Sequence, residues 1–125
     1  MLQLTTIFFL IAFSVLAVIH NIAMQLFLYW HIWWFDIPVH TLGGIVVALG
    51  FFALRDLRIF PNAWLKPVPV LALVLGVALL WELFELVAGI PNAGDYAIDT
   101  SIDVTVGVLG GFVGYIIGNS LRNLR

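Results

Sequence analysis

The chain has 125 residues, 63% of them hydrophobic and only 10% charged, whereas a soluble domain carries about 25% charged residues. A folded chain this short hides only about two thirds of its surface, too little to shelter so many apolar side chains from water. That excludes a soluble globular enzyme and makes lipid the solvent.

A hydrocarbon layer about 30 Å thick calls for roughly 20 apolar residues of helix. Four such runs are predicted in chain order, at about residues 4–28, 37–54, 69–88 and 102–117. Turn and charge residues separate them at 30–36, 55–67 and 89–99, the last holding Pro91-Asn92-Ala93-Gly94. Barrel strands would alternate apolar and polar positions, and these runs do not. The expected fold is all-α, a single polytopic four-helix transmembrane domain over residues 1–125. The first run has no Lys or Arg before it and is longer than a signal-peptide core, so it is expected to be retained as a helix.

All five basic residues fall in two places, Arg55, Arg58 and Lys66 between the second and third runs and Arg122 and Arg125 in the tail. With four spans those places share one side, which the positive-inside rule assigns to the cytoplasm together with both termini. Six of the seven acidic residues, Asp36, Glu82, Glu85, Asp95, Asp99 and Asp103, then lie toward the outer half. Tyr29, Trp30, Trp33 and Trp34 mark the outer interface, and Trp64 the inner one. The protein is expected to be multi-pass in the cell membrane.

An isolated carboxylate within a membrane costs about 2.5 to 3.5 kcal/mol on insertion scales, so several imply partners or water. Asp36 and His40, Glu82 and Glu85, and Asp99 and Asp103 each pair on one helix face at a spacing of three or four. At 1.5 Å per residue the pairs reach similar depths and point to one outward-open pocket. Crowded carboxylates require protons or a cation. An oxygen-rich set suits Mg²⁺, Mn²⁺ or Ca²⁺, and the imidazole admits Zn²⁺ or iron. In this reading Glu82, Glu85, Asp99 and Asp103 hold the divalent metal ion, while His40 and Asp36 act as the catalytic proton-handling pair.

Plainer roles stand beside these. Asp36 and Asp99 are placed to cap helices and Asp95 to be a loop charge. The two glutamates can bond to Trp81, Tyr96 or Tyr115, Asp103 to Thr100, and His40 can be a packing residue. Gly44 and Ala48 on the second run, and Gly107, Gly110, Gly111, Gly114 and Gly118 on the fourth, are spaced for close contact between those helices, or for a homo-oligomer contact through the Gly-rich fourth helix. On the first run Ser14, Asn21 and Gln25 form a polar stripe beside His20, fit to close the pocket or line a polar path. No catalytic task is assigned to His20 or His31.

The sequences Asp36-Ile-Pro-Val-His40, Trp81-Glu82-Leu-Phe-Glu85 and Asp99-Thr-Ser-Ile-Asp103, with Gly107 and Gly110-Gly111 following, resemble the small bacterial membrane proteins of the VanZ-like and YjdF-like group. The resemblance spans about residues 35–118 and leans to the YjdF-like side. It implies the same six site residues and carries no defined reaction.

Three functions are compatible with this pattern. The first is a metal-dependent membrane hydrolase acting on a lipid-linked or phosphorylated substrate, with membrane lipid as a partner. The second is a cation or proton transporter or channel, and the third a structural accessory protein whose polar core fixes helix packing. Nucleic acid is excluded as a partner by the net charge of -2 and the lack of a basic tail.

Overall fold

The computed structural model describes residues 2–91 and 94–124; Arg125, counted above among the tail charges, lies outside them. The described residues form helices joined by short connections, in the order α1 (Leu4–Gln25), α2 (Leu28–His31), α3 (Asp36–Asp56), a single 3-10 turn (Asn62–Trp64), α4 (Pro67–Ala88) and α5 (Tyr96–Asn123). Four of them, α1, α3, α4 and α5, are long and apolar enough to cross a membrane. The protein is an all-α, multi-pass membrane protein.

Helix ends depart from the hydropathy pattern where local chemistry intervenes. The first span was expected to run to residue 28 but stops at Gln25, because Phe27 takes a left-handed conformation at φ 54° and redirects the chain into α2. The third starts earlier than expected, with Pro67 at its first position, where a missing N–H leaves no bond unmade. It ends on Gly89 at φ 71°, the left-handed cap that glycine adopts without a Cβ penalty.

The fourth span is extended at both ends relative to the apolar run. Asp95 caps α5, its side chain accepting from the backbone N–H groups of Ala97 and Ile98 at 2.9 and 3.1 Å. Asp95 is therefore a cap and not the loop charge expected, and Asp99 sits in the first turn instead of capping. Asp36 likewise is the first residue of α3, with Phe35 at the cap position and no side-chain cap bond. Hydropathy misses such polar opening turns because it scores side chains, whereas the helix follows the backbone bonds.

The most extensive interhelical contact is between α3 and α5. Gly107, Gly110, Gly111, Gly114 and Gly118 are all buried, and a Cβ at Gly110 or Gly44 would collide with the facing backbone of Thr41 or Gly107. Close approach of two backbones needs small residues at this spacing. The glycine face, which the sequence offered to a neighbouring helix or to an oligomer, is occupied within the chain by α3, with Val74 of α4 against Gly111. α1 packs on α3, and α4 on α5 and α3.

Beneath this crossing, Ala48, Phe51, Phe52, Leu65, Val70 and Val74 form an apolar core. At the same end the Thr5 and Thr6 hydroxyls donate to the Asp56 carboxylate, tying the start of α1 to the end of α3. Arg55, Arg58, Lys66 and Arg122 belong to this end, and Asp36, Asp95 and Asp99 to the opposite one.

Candidate metal centre

The close α3–α5 crossing sets the site. With Gly44 against Gly107, the turns above them bring His40 on α3 beside Asp103 on α5, and α4 supplies Glu82 and Glu85 from the third side. His40 Nε2 lies 3.2 Å from Asp36 Oδ1, 3.6 Å from Glu85 Oε1, 3.7 Å from Glu82 Oε1 and 3.8 Å from Asp103 Oδ2. His40, Glu82, Glu85 and Asp103 are buried, Asp103 to 1% residual exposure, and Asp36 is half-buried.

One imidazole N–H can serve only one of these oxygens. Asp36 Oδ1, His40 Nε2, Glu82 Oε1 and Asp103 Oδ2 are all buried without a hydrogen-bond partner. The 3.2 Å approach of Asp36 to His40 is an ion-pair distance. Buried polar groups are nearly always bonded, so four orphaned atoms converging on one point mark a place built for something else.

Two bonds orient the carboxylates. The Trp81 indole Nε1–H donates to Glu85 Oε1 at 2.7 Å, and the Thr100 hydroxyl donates to Glu82 Oε2 at 3.0 Å. Each leaves its glutamate anchored, and Glu82 keeps Oε1 directed at His40. Thr100 therefore serves Glu82 and not Asp103, as the sequence spacing had suggested, because α4 rather than the α5 backbone faces its hydroxyl. Metal sites hold their ligands through outer bonds of this kind.

Asp36, His40, Glu85 and Asp103 each offer one donor atom, and these four atoms lie within 4.8 Å of one another. Donors on opposite sides of an ion lie about 4.2 Å apart around Mg²⁺ and about 4.6 to 5.2 Å apart around Ca²⁺, so the four atoms are close enough together to be able to surround one divalent ion. Asp36 and His40, read from sequence as the proton-handling pair, are thus grouped with Glu85 and Asp103. Glu82 borders the same nitrogen. Asp99 lies one turn from Asp103, toward the start of α5 and outside this group of four.

The polar stripe of α1 is not part of the site. Ser14, Asn21 and Gln25 are exposed on the surface of the helix, and Asn21 donates to the Ala17 carbonyl of its own helix at 2.8 Å. His20, one position from that stripe, turns inward instead. Its Nδ1 lies 2.9 Å from the Tyr29 hydroxyl, and its ring meets Trp81 edge to face at 5.4 Å between centroids. Burial, then the nearby Asp36 and Glu85 carboxylates, push the Tyr29 phenol above its ordinary range, so it stays protonated and able to donate to His20. The sequence signal for His20 was its place with Phe13 and Leu16 on one helical face, at spacings of three and four.

A family model described as a predicted membrane protein (DUF2238) matches residues 2–123. No curated protein and no solved structure matches the chain.

Proposed function

Since the chain belongs to the DUF2238 family of predicted membrane proteins, we propose that it is a divalent-cation-binding membrane protein whose ion is held by Asp36, His40, Glu85 and Asp103. The observation that carries this reading is that Asp36 and Asp103 bring buried oxygens without a hydrogen-bond partner to within 3.8 Å of His40 Nε2, itself unbonded. Four carboxylates and one imidazole, if ionised, leave an excess of negative charge in a low-dielectric setting, which is costly unless protons or a cation compensate it. The motif resemblance to VanZ-like and YjdF-like proteins rests on the same residues and belongs to this proposal.

The chemistry proposed for the site is hydrolysis of a lipid-linked or phosphorylated substrate. A divalent ion there would supply Lewis acidity toward a phosphoryl or carbonyl oxygen and lower the pKa of a bound water. Within the chain, Trp81 fixes Glu85 and Thr100 fixes Glu82. Glu82 Oε1 is left as the carboxylate oxygen next to the donor set that can take a proton. The apolar core of Phe51, Phe52, Val70 and Val74 underlies the site, which favours a blind pocket over a transmembrane ion path.

Metal analysis of the full chain purified without chelator, repeated on Glu82→Gln and Asp103→Asn, tests the reading. About one divalent ion per chain is expected in the wild type, with loss in Asp103→Asn and retention at weakened affinity in Glu82→Gln. Wild-type protein that folds yet takes up no Mg²⁺, Mn²⁺, Ca²⁺ or Zn²⁺ would sink the proposal.

A further inference from the structure

Below the candidate centre lies a cavity of about 220 Å³ with almost wholly apolar walls. Its three main walls run in parallel: Phe13 to His20 on α1, His40 to Val47 on α3 and Val74 to Trp81 on α4. Seven residues of helix span about 10 Å, so the cavity is a slot directed along the helices. A cavity of this volume has room for part of one hydrocarbon chain. His20, His40 and Trp81 form its polar end.

The slot opens sideways into the bilayer. α1 and α4 scarcely touch one another, and one lining residue of each, Phe13 and Val77, is also exposed, at 52% and 36%. An apolar cavity stays dry, and an empty one forfeits the contacts of its walls. In a bilayer such a gap would face hydrocarbon, which is available to fill it.

From this continuity we infer that the slot holds one hydrocarbon chain of a phosphate-headed membrane lipid, entering between α1 and α4 with its head at the His40 cluster. The placement of the head rests on the metal-site proposal, because Asp36, Glu82, Glu85 and Asp103 repel a phosphate without a cation and attract it through one. No Lys or Arg among the described residues lies at that end to do the same work. His20 and Trp81, in ring contact across the top of the gap, separate the chain from the acidic cluster and act as positioning residues.

Gly43 provides the test, because it lines the slot and has no heavy atom within 4 Å of where a Cβ would stand. A leucine there fills the slot without displacing a neighbouring backbone. Gly76 on α4 is equally open but does not line the cavity. The full chain is reconstituted in nanodiscs containing phosphatidic acid with a diazirine in its acyl chain, with and without Mn²⁺, and labelled sites are mapped by peptide mass spectrometry.

Label is expected on the buried slot residues Val39, Val46 and Val74 in the wild type, falling about tenfold in Gly43→Leu, equivalent to about 1.4 kcal/mol of binding. Gly43→Leu should retain Mn²⁺, and Gly76→Leu should label as the wild type does. Label confined to outward-facing residues such as Leu79, Leu80 and Val87, or undiminished slot labelling in Gly43→Leu, would overturn the inference. Should Gly43→Leu not fold, the wild-type map decides alone. Slot labelling without any Mn²⁺ binding overturns the metal proposal and with it the placement of the head; Mn²⁺ binding without slot labelling overturns the lipid chain alone.

Discussion

Asp56 near the end of α3 and Asp103 near the start of α5 are both carboxylates with side chains almost fully buried, at 5% and 2% exposure, yet their surroundings are opposite. Asp56 accepts from the Thr5 and Thr6 hydroxyls, the latter at 2.9 Å, and from the Arg55 guanidinium at 3.2 Å. Asp103 faces three further carboxylates and one imidazole, and its Oδ2 has no hydrogen-bond partner. At the basic end the polar groups balance one another within the chain. At the acidic end they are left in surplus.

The largest expected consequence concerns ligand-dependent stability. A divalent ion at about 100 times its dissociation constant adds about 2.7 kcal/mol to the folded state. Thermal unfolding in detergent, with Mn²⁺ and with chelator, should show that increment in the wild type and in Asp56→Asn but not in Asp103→Asn. An increment surviving in Asp103→Asn would erase the distinction between the two ends.

Without metal the two substitutions should pull in opposite directions. Asp56→Ala leaves two hydroxyls and a guanidinium without their acceptor and is expected to cost about 1 to 3 kcal/mol. Asp103→Asn removes one of the crowded negative charges and is expected to raise stability by about 1 kcal/mol. Denaturation midpoints of the two metal-free variants check the signs, and a loss in both would mean that the cluster around His40 is as structural as the one around Asp56.

The smallest effects sharpen the contrast. Thr6→Val should cost about 1 kcal/mol of stability and leave Mn²⁺ affinity unchanged. Thr100→Val should leave stability nearly as it was and weaken Mn²⁺ binding measurably but less than about tenfold, since Thr100 holds Glu82, which borders the four ligands without belonging to them. Titration calorimetry beside thermal unfolding separates the two outcomes.

Much of the site was legible because its signals are local. The spacing of Asp36 and His40 places both on one face of α3, and Glu82 and Glu85 share a face of α4, whatever the rest of the chain does. The glycines of α5 announced a close neighbour, and α3 is that neighbour. Asp95 and Asp99 were harder: both lie just before an apolar run, and only the backbone bonds to Asp95 decide which one caps the helix. His20 and the Ser14, Asn21 and Gln25 stripe exchanged roles for a related reason. The helical period separates them by about 100°, but cannot say which side meets α3.

By itself the sequence determined the solvent, the four spans, the gathering of basic and acidic residues at opposite ends, and the pairing of acidic groups on single helix faces. These follow from side-chain transfer energies and a fixed helical period, which need no partner helix. Only the tertiary structure decided that Asp36, His40, Glu85 and Asp103 face one point, that Glu82 turns to Thr100, and that an apolar slot opens beside them. Those facts depend on how closely α3 and α5 approach and on the gap left between α1 and α4, and no single segment contains that information.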